Sequence, residues 1–262
     1  MNKEDQILSA ILRDKFRLCE KRGVPTWTDF LTPAETALAD DICRGLCAGS
    51  DVSYSLEGGY EDAERNVCIF RPLDGWTDAA AGSGPSGETG PFKVVRISIP
   101  KGSPKLTHRD YLGALLGLGE QRSVMGDILV RPDGADAVVL GSMADYIAQN
   151  LDSVGRASAS CEVLDIAELR TGEQRTEEMH GTVASLRLDS VASEAFRSSR
   201  GRAQEAVRAG LVSVNGRQCL KPDRELAEGD RISVRGKGKA VLKEVGGRTR
   251  KDRIAVTITR YL

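Results

Sequence analysis

The sequence predicts an α+β protein in three segments, and three observations carry that expectation. Apolar residues recur at helical spacing through the first 50 positions. Between Phe92 and Ile166 they fall into a β-α-β-β-α-β succession. The remainder is a run of short elements with a strong excess of cations. Ser185–Leu262 holds 18 Lys/Arg against 9 Asp/Glu, whereas Met1–Ala184 holds 19 against 29. The overall net charge of −1 therefore hides two halves of opposite sign. Such asymmetry points to a nucleic-acid-binding segment joined to an acidic body. The expected divisions are a helical region at 1–50, a mixed domain at 51–180 with a flexible insertion at 77–91, and a small basic domain at 181–262.

Within the first segment, Ile7, Leu8, Ile11, Leu12 and Leu18 define a helix over 3–20. Thr26 to Phe30 reads as a break. Thr32-Pro33-Ala34-Glu35 is a helix start with proline at an early position, and a helix over 33–48 follows. Two short strands are expected at 52–56 and 66–71, separated by the polar turn G-G-Y-E-D-A-E-R. The stretch 77–91 is rich in Gly, Ser, Ala and Pro without apolar period, and reads as a flexible excursion.

The middle segment opens with a strand at 92–99, where Val95, Ile97 and Ile99 alternate. Thr107 is placed to cap a helix carrying Tyr111, Leu112, Leu115 and Leu116. Strands at 127–131 and 137–140 flank Pro132-Asp133-Gly134. Ser142 is placed to cap a second helix, and 159–166 closes the set. This order predicts a ferredoxin-like or RRM-like sheet with two helices on one face. An RRM reads single-stranded RNA with aromatics on its open sheet face. Here the central strands carry Val, Ile, Leu, Asp and Arg, so a structural or protein-facing role is expected.

In the basic segment, Asp189 is placed to cap a helix over 190–197, and Ser199 a second over 200–209. Ala203, Ala206 and Val207 form the apolar stripe of the second helix, with Arg200, Arg202 and Arg208 mostly outside it. Gly210 stops that helix, Leu211–Val214 alternates as a strand, and Asn215-Gly216 is the preferred type I′ hairpin dipeptide. A return strand runs to Leu220, Lys221-Pro222 breaks it, and another strand occupies 231–235. Clustered guanidinium groups beside the free N–H donors of a helix start attract phosphate through charge and hydrogen bonding. Aromatic stacking groups are scarce, so structured RNA read through shape and phosphates is the expected partner. The glycine-spaced cations after Val234 suit a flexible loop along a phosphate backbone.

The motifs R-L-D (187–189), Ser199-Arg200 with Ala203, G-x-V-x-V-N-G (210–216), Lys221-Pro222 and Gly229-Asp230 resemble the alpha-L RNA-binding module, named for small-subunit ribosomal protein four. Together with T-H-R-D-Y-L-G-A-L-L-G-L-G-E-Q-R-S-V-M-G-D-I-L-V (107–130) and G-G-Y-E-D-A-E-R (58–65), they make nearly the whole chain similar to the YlmH family of bacterial ribosome-associated proteins. Two departures stand out: the Gly/Ser-rich stretch at 78–90, and Glu120 where the family's helix-to-strand turn carries an apolar residue. The resemblance implies a non-enzymatic factor that binds the large ribosomal subunit, contacts ribosomal RNA and tRNA, and helps rescue stalled nascent chains. It assigns RNA binding to Arg187, Ser199, Arg200, Arg202, Lys221, Arg235, Lys237 and Lys239. Arg197 and Arg208 join them from the basic helix pair. Asp189, Gly210, Asn215 and Gly216 are expected to be architectural.

Other function classes find less support. His108, Arg109 and Asp110 look like a catalytic trio on paper, but adjacent residues on one helix turn fan apart. None of the six cysteines forms a C-x-x-C pair and only two histidines exist, so neither metal nor cofactor is expected. Reduced thiols, no signal-peptide pattern and no membrane-length apolar run fit a cytoplasmic protein. With the ribosome-factor reading goes the expectation of a monomer off the ribosome. Two rival readings are an RNA-modifying enzyme that docks on ribosomal RNA through the basic module, and a scaffold linked to cell division. No Gly-rich cofactor loop follows a first parallel strand, and no amphipathic anchor or lipidation motif supports the scaffold.

Overall fold

The computed structural model describes residues 3–61, 63–73, 91–119, 121–171 and 176–261. All of the expected insertion at 77–91 except Pro91, and the departure at Glu120, lie outside the described residues. The chain forms two compact units, Met1–Gly172 and Glu173–Leu262.

The first unit begins with α1 (Lys3–Arg22), β1 (Thr26–Leu31), α2 (Pro33–Leu46), β2 (Val52–Glu57) and β3 (Asn66–Pro72). The strands make an antiparallel sheet in the order β1-β3-β2. The expected break at Thr26–Phe30 is instead β1, and its polar residues explain the misreading. Buried Thr28 accepts a hydrogen bond from the Cys68 N–H at 3.1 Å, and Thr26 donates to the Lys15 carbonyl at 2.7 Å. Threonine fits a pleated strand and here satisfies its hydroxyl on neighbouring backbone. Leu8, Leu12, Phe16 and Cys19 of α1 pack with Ala39, Cys43, Val52, Cys68 and Phe70 on one sheet face. The strands expected at 52–56 and 66–71 thus belong with the N-terminal helices, so the helical region at 1–50 is part of a larger α/β layer.

A second sheet follows from β4 (Phe92–Ser98), α3 (His108–Gly117), β5 (Met125–Arg131), β6 (Gly134–Leu140), α4 (Gly141–Asn150) and, after the small hairpin of β7 (Ser153–Val154) and β8 (Ala157–Ser158), β9 (Ser160–Asp165). Its order is β5-β6-β4-β9, antiparallel throughout, with β6 between β4 and β5. This is the split arrangement expected of a ferredoxin-like fold. Ser142 lies inside α4, whose cap position is Leu140. Tyr111, Leu115, Ala144 and Ile147 of the helices pack on Val95, Ile97, Ala137 and Val139.

The opposite face of this sheet is covered as well. Phe92, Val138 and Leu140 pack against Phe30, Val67 and Ile69 of the first sheet, and the Phe30 and Phe92 rings lie 5.7 Å apart. Gly126 permits the approach, because a Cβ there would sit 2.7 Å from the Phe30 ring. All seven residues of β6 are buried in consequence. The face on which an RRM stacks bases is therefore an interior layer.

The second unit contains β10 (Thr176–Val183), α5 (Leu188–Ala195), α6 (Arg200–Arg208), β11 (Val212–Val214), β12 (Arg217–Gln218), β13 (Arg231–Val234), β14 (Gly238–Arg248) and β15 (Ile254–Tyr261). They form one antiparallel sheet in the order β10-β15-β14-β13-β11-β12. Leu188, Val191, Ala195 and Val207 close its core with Ile232, Leu242, Val256 and Ile258. Asn215 and Gly216 adopt φ of 51° and 76°, the left-handed pair that a type I′ turn requires. Two expectations change here. The unit starts with β10, ahead of the anticipated boundary at 181. The stretch after Val234 is a long paired β-ribbon, with Arg235 and Lys237 in the turn before β14 and Arg250 and Lys251 in the turn between β14 and β15, because Ala240, Leu242, Val256 and Ile258 alternate into the core.

Candidate nucleic-acid interface

Asp189 organises the basic surface of the second unit. It is the second residue of α5 and is fully buried. It does not cap the helix: Arg187 occupies the cap position, and the first N–H groups are satisfied from elsewhere. The Leu188 and Asp189 N–H groups donate to the carbonyls of Arg224 at 2.8 Å and Pro222 at 2.9 Å. The turn begun by Lys221-Pro222 is thus the cap of α5, and it places exposed Lys221 beside the first turn of that helix.

The Asp189 carboxylate receives three side chains. Arg187 donates through Nε and Nη2, each at 3.3 Å. Arg200 donates through Nε at 3.1 Å and Nη2 at 3.3 Å. Gln204 adds Nε2 at 2.6 Å. Arg200 and Gln204 are four apart on α6 and so share a face. Burial alone would raise the Asp189 pKa, but hydrogen bonds from Arg187, Gln204 and Arg200 outweigh it and hold it at about 2. The arginine side chains remain 38% and 47% exposed, and each keeps its Nη1 without a partner among the described residues. Two guanidinium groups share the one buried carboxylate, with Asp223 a further acid near Arg187, and their outer donors are left for a ligand. Such a fork suits a phosphate.

The other expected residues divide around this clamp. Ser199 caps α6, its Oγ accepting from the Arg202 N–H at 3.3 Å. Arg202 is exposed, roughly 200° around the helix from Arg200 at about 100° per residue, so the two present on different flanks. Arg197 has a left-handed backbone, φ 46°, and its guanidinium pairs with Glu177 of β10. Arg208 lies exposed in the last turn of α6. Near that end, the Arg235 N–H donates to the Leu211 carbonyl at 2.9 Å, and Arg235-Gly236-Lys237 forms a tight exposed turn into β14. Lys239 is half-buried on β14, opposite Ser233 and Tyr261. The structure therefore brings Arg187, Arg200 and Lys221 together at Asp189, and Arg208, Arg235 and Lys237 toward the other end of α6, roughly 12 Å along the helix axis.

Asp189, expected to be architectural, sits at the centre of the basic site, and Gln204, outside the expected set, joins it. The four-residue spacing of Arg200 and Gln204 was available as a signal, but their meeting on Asp189 depends on how α6 crosses α5. In the first unit, His108, Arg109 and Asp110 do not converge. Asp110 turns back to accept from the Thr107 N–H and Oγ, both at 2.7 Å. Among the described residues no cluster of His, Cys, Asp or Glu could hold a metal, and no helix is long and apolar enough to cross a membrane.

Comparison with known proteins agrees with this layout. Residues 85–168 match the family described as "Putative RNA-binding domain in YlmH", and residues 186–232 match the S4 domain. A Bacillus subtilis (strain 168) protein named "Ribosome-associated protein quality control protein P2" is 33% identical over 235 residues, covering 89% of this chain and 86% of that protein. The structure of "Cell division protein ylmH from Streptococcus pneumoniae" shares the fold with a TM-score of 0.50 at 18% identity, over 64% of this chain and 95% of that one. With both matched segments in the expected order and a third of the residues shared along most of its length with one relative, the chain belongs to the YlmH family of bacterial ribosome-associated RNA-binding proteins.

Proposed function

We propose that the protein is a non-enzymatic cytoplasmic factor, monomeric off the ribosome, that docks its second unit on structured RNA of the large ribosomal subunit. There it contacts ribosomal RNA and tRNA during quality control of stalled nascent chains. One observation carries the RNA reading: buried Asp189 holds Arg187 and Arg200 in fixed orientation while their outer donors face solvent. Arginines already ordered lose less freedom when a phosphate arrives. The ribosomal part of the proposal draws on the name of the Bacillus relative. The buried second face of the RRM-like sheet supports assigning RNA binding to the second unit.

The test is co-sedimentation with purified ribosomal subunits, paired with crosslink mapping. Wild-type protein is expected with the large subunit, with crosslinks from the second unit to ribosomal RNA. Arg200→Ala should weaken binding by about 1.5–3 kcal/mol, the range for a hydrogen bond to a charged group. Unchanged affinity in a folded Arg200→Ala protein would remove the clamp from the interface. Crosslinks from the small subunit alone would refute the proposed location.

A further inference from the structure

We propose that the turn joining β14 to β15 is a second RNA-backbone contact, separate from the Asp189 clamp. The inference rests on the reading that the second unit binds structured RNA. Residues 248–253 read R-T-R-K-D-R, and their four cations have different fates. Arg248 pairs with Asp252 at 2.5 Å. Arg253 is tied to β10, donating to the Thr182 hydroxyl at 2.9 Å and to the Thr182 carbonyl. Arg250 and Lys251, at the apex, are exposed and have no partner among the described residues.

The turn that presents them is built rather than loose. The Thr249 N–H donates to the Arg253 carbonyl at 2.7 Å, and the Asp252 N–H to the Thr249 carbonyl at 2.9 Å. Thr249 Oγ1 accepts from the Arg253 N–H at 3.2 Å. Asp252 takes a left-handed backbone, φ 56°, which Asp adopts more readily than most side chains. The one acid of the apex is spent on Arg248, and two neighbouring cations stand free on an ordered turn. Two unpaired positive charges on a fixed scaffold suit a polyanion.

The topology gives this turn its place. Val183 of β10 pairs with Ile254 at the base of the turn, and the chain then runs from Val183 to Arg187 and the clamp. That connection spans at most roughly 14 Å. The turn and the clamp therefore lie toward the same end of the sheet. The Arg235–Lys237 turn lies at the opposite end of β14, roughly 35 Å away along an 11-residue strand. An RNA seated on the clamp meets Arg250 and Lys251 next, and its bound length exceeds what the helix pair alone can cover.

The experiment measures affinity of the full chain for purified ribosomal RNA across a salt series. Each neutralised phosphate contributes about one unit to the log–log salt slope. The Arg250→Ala/Lys251→Ala variant should flatten the slope by about two units while leaving thermal stability unchanged. Arg250→Lys should retain the wild-type slope. A control variant, Arg13→Ala/Lys21→Ala, removes the same charge from exposed positions of the first unit and should change nothing. An unchanged slope in the double variant, or an equal loss in the control, overturns the proposal. If RNA affinity persists but subunit co-sedimentation is lost, the turn contacts protein and the RNA assignment is overturned. If Arg200→Ala is also silent, it is the broader RNA reading that has failed.

Discussion

At Asp189, one buried carboxylate holds two arginines and a glutamine, and its pH behaviour follows. Its pKa falls from 3.8 to about 2 on folding. A depressed acid contributes stability above its unfolded pKa and loses it as pH drops through the folded value. The clamp should therefore stabilise fully above pH ~4 and fade toward pH 2, with about 2 kcal/mol at stake. Urea unfolding of the second unit at successive pH values should show this acid limb, and Asp189→Asn should lack it. The same variant should lose about 2 kcal/mol at neutral pH and weaken RNA binding, because the arginines then repel each other unopposed. Cations are visible in a sequence as charge, so Arg187 and Arg200 were legible from motif and composition. The role of Asp189 was not, because a carboxylate at a helix start reads as a cap until the crossing of a second helix is known.

Among the elements, the helices and the strands of the middle sheet were legible because apolar spacing there follows the faces they bury. β1 was missed because its threonines hide a buried strand behind a polar composition. β14 and β15 were missed because their glycines and cations drew the reading away from the Ala240, Leu242, Val256, Ile258 alternation. Two phrases that carry the family resemblance, 58–65 and 107–130, meet in the structure. Tyr60 donates to Asp127 at 2.8 Å, and the Glu64 N–H to the same carboxylate at 2.6 Å. Arg65 donates to the carbonyls of Met125 at 3.0 Å, Phe30 at 2.8 Å and Arg122 at 3.4 Å. Arg65 thus stitches β1 to β5, joining the two sheets of the first unit. Arg65→Ala should cost about 2–3 kcal/mol, given the worth of hydrogen bonds from a charged group and the carbonyls left unpaired. Chemical denaturation would measure this, and RNA binding by the second unit should be unaffected.

For the whole molecule, charge and compactness divide the chain at nearly the same place, and that division makes fragments a direct test. Residues 173–262 should fold and bind structured RNA, with a salt slope of roughly −4 to −7 if five to eight phosphates are engaged. Residues 1–172 should bind at least tenfold more weakly in a gel shift. A fragment beginning at Ser185 omits β10, which pairs along all of β15. It should show reduced amide protection in β15 and a lower melting temperature than 173–262. The doubly covered four-stranded sheet imposes a stricter condition on the first unit. Sequence comparison outlines residues 85–168 as a domain, yet Phe92, Val138 and Leu140 find their partners on β1 and β3, outside that outline. Cut at those bounds, the piece would present an apolar sheet face to water and should self-associate during expression. What sequence comparison recognises as one domain is here only part of what must fold together, and inheritance of the N-terminal layer with it is a solubility requirement.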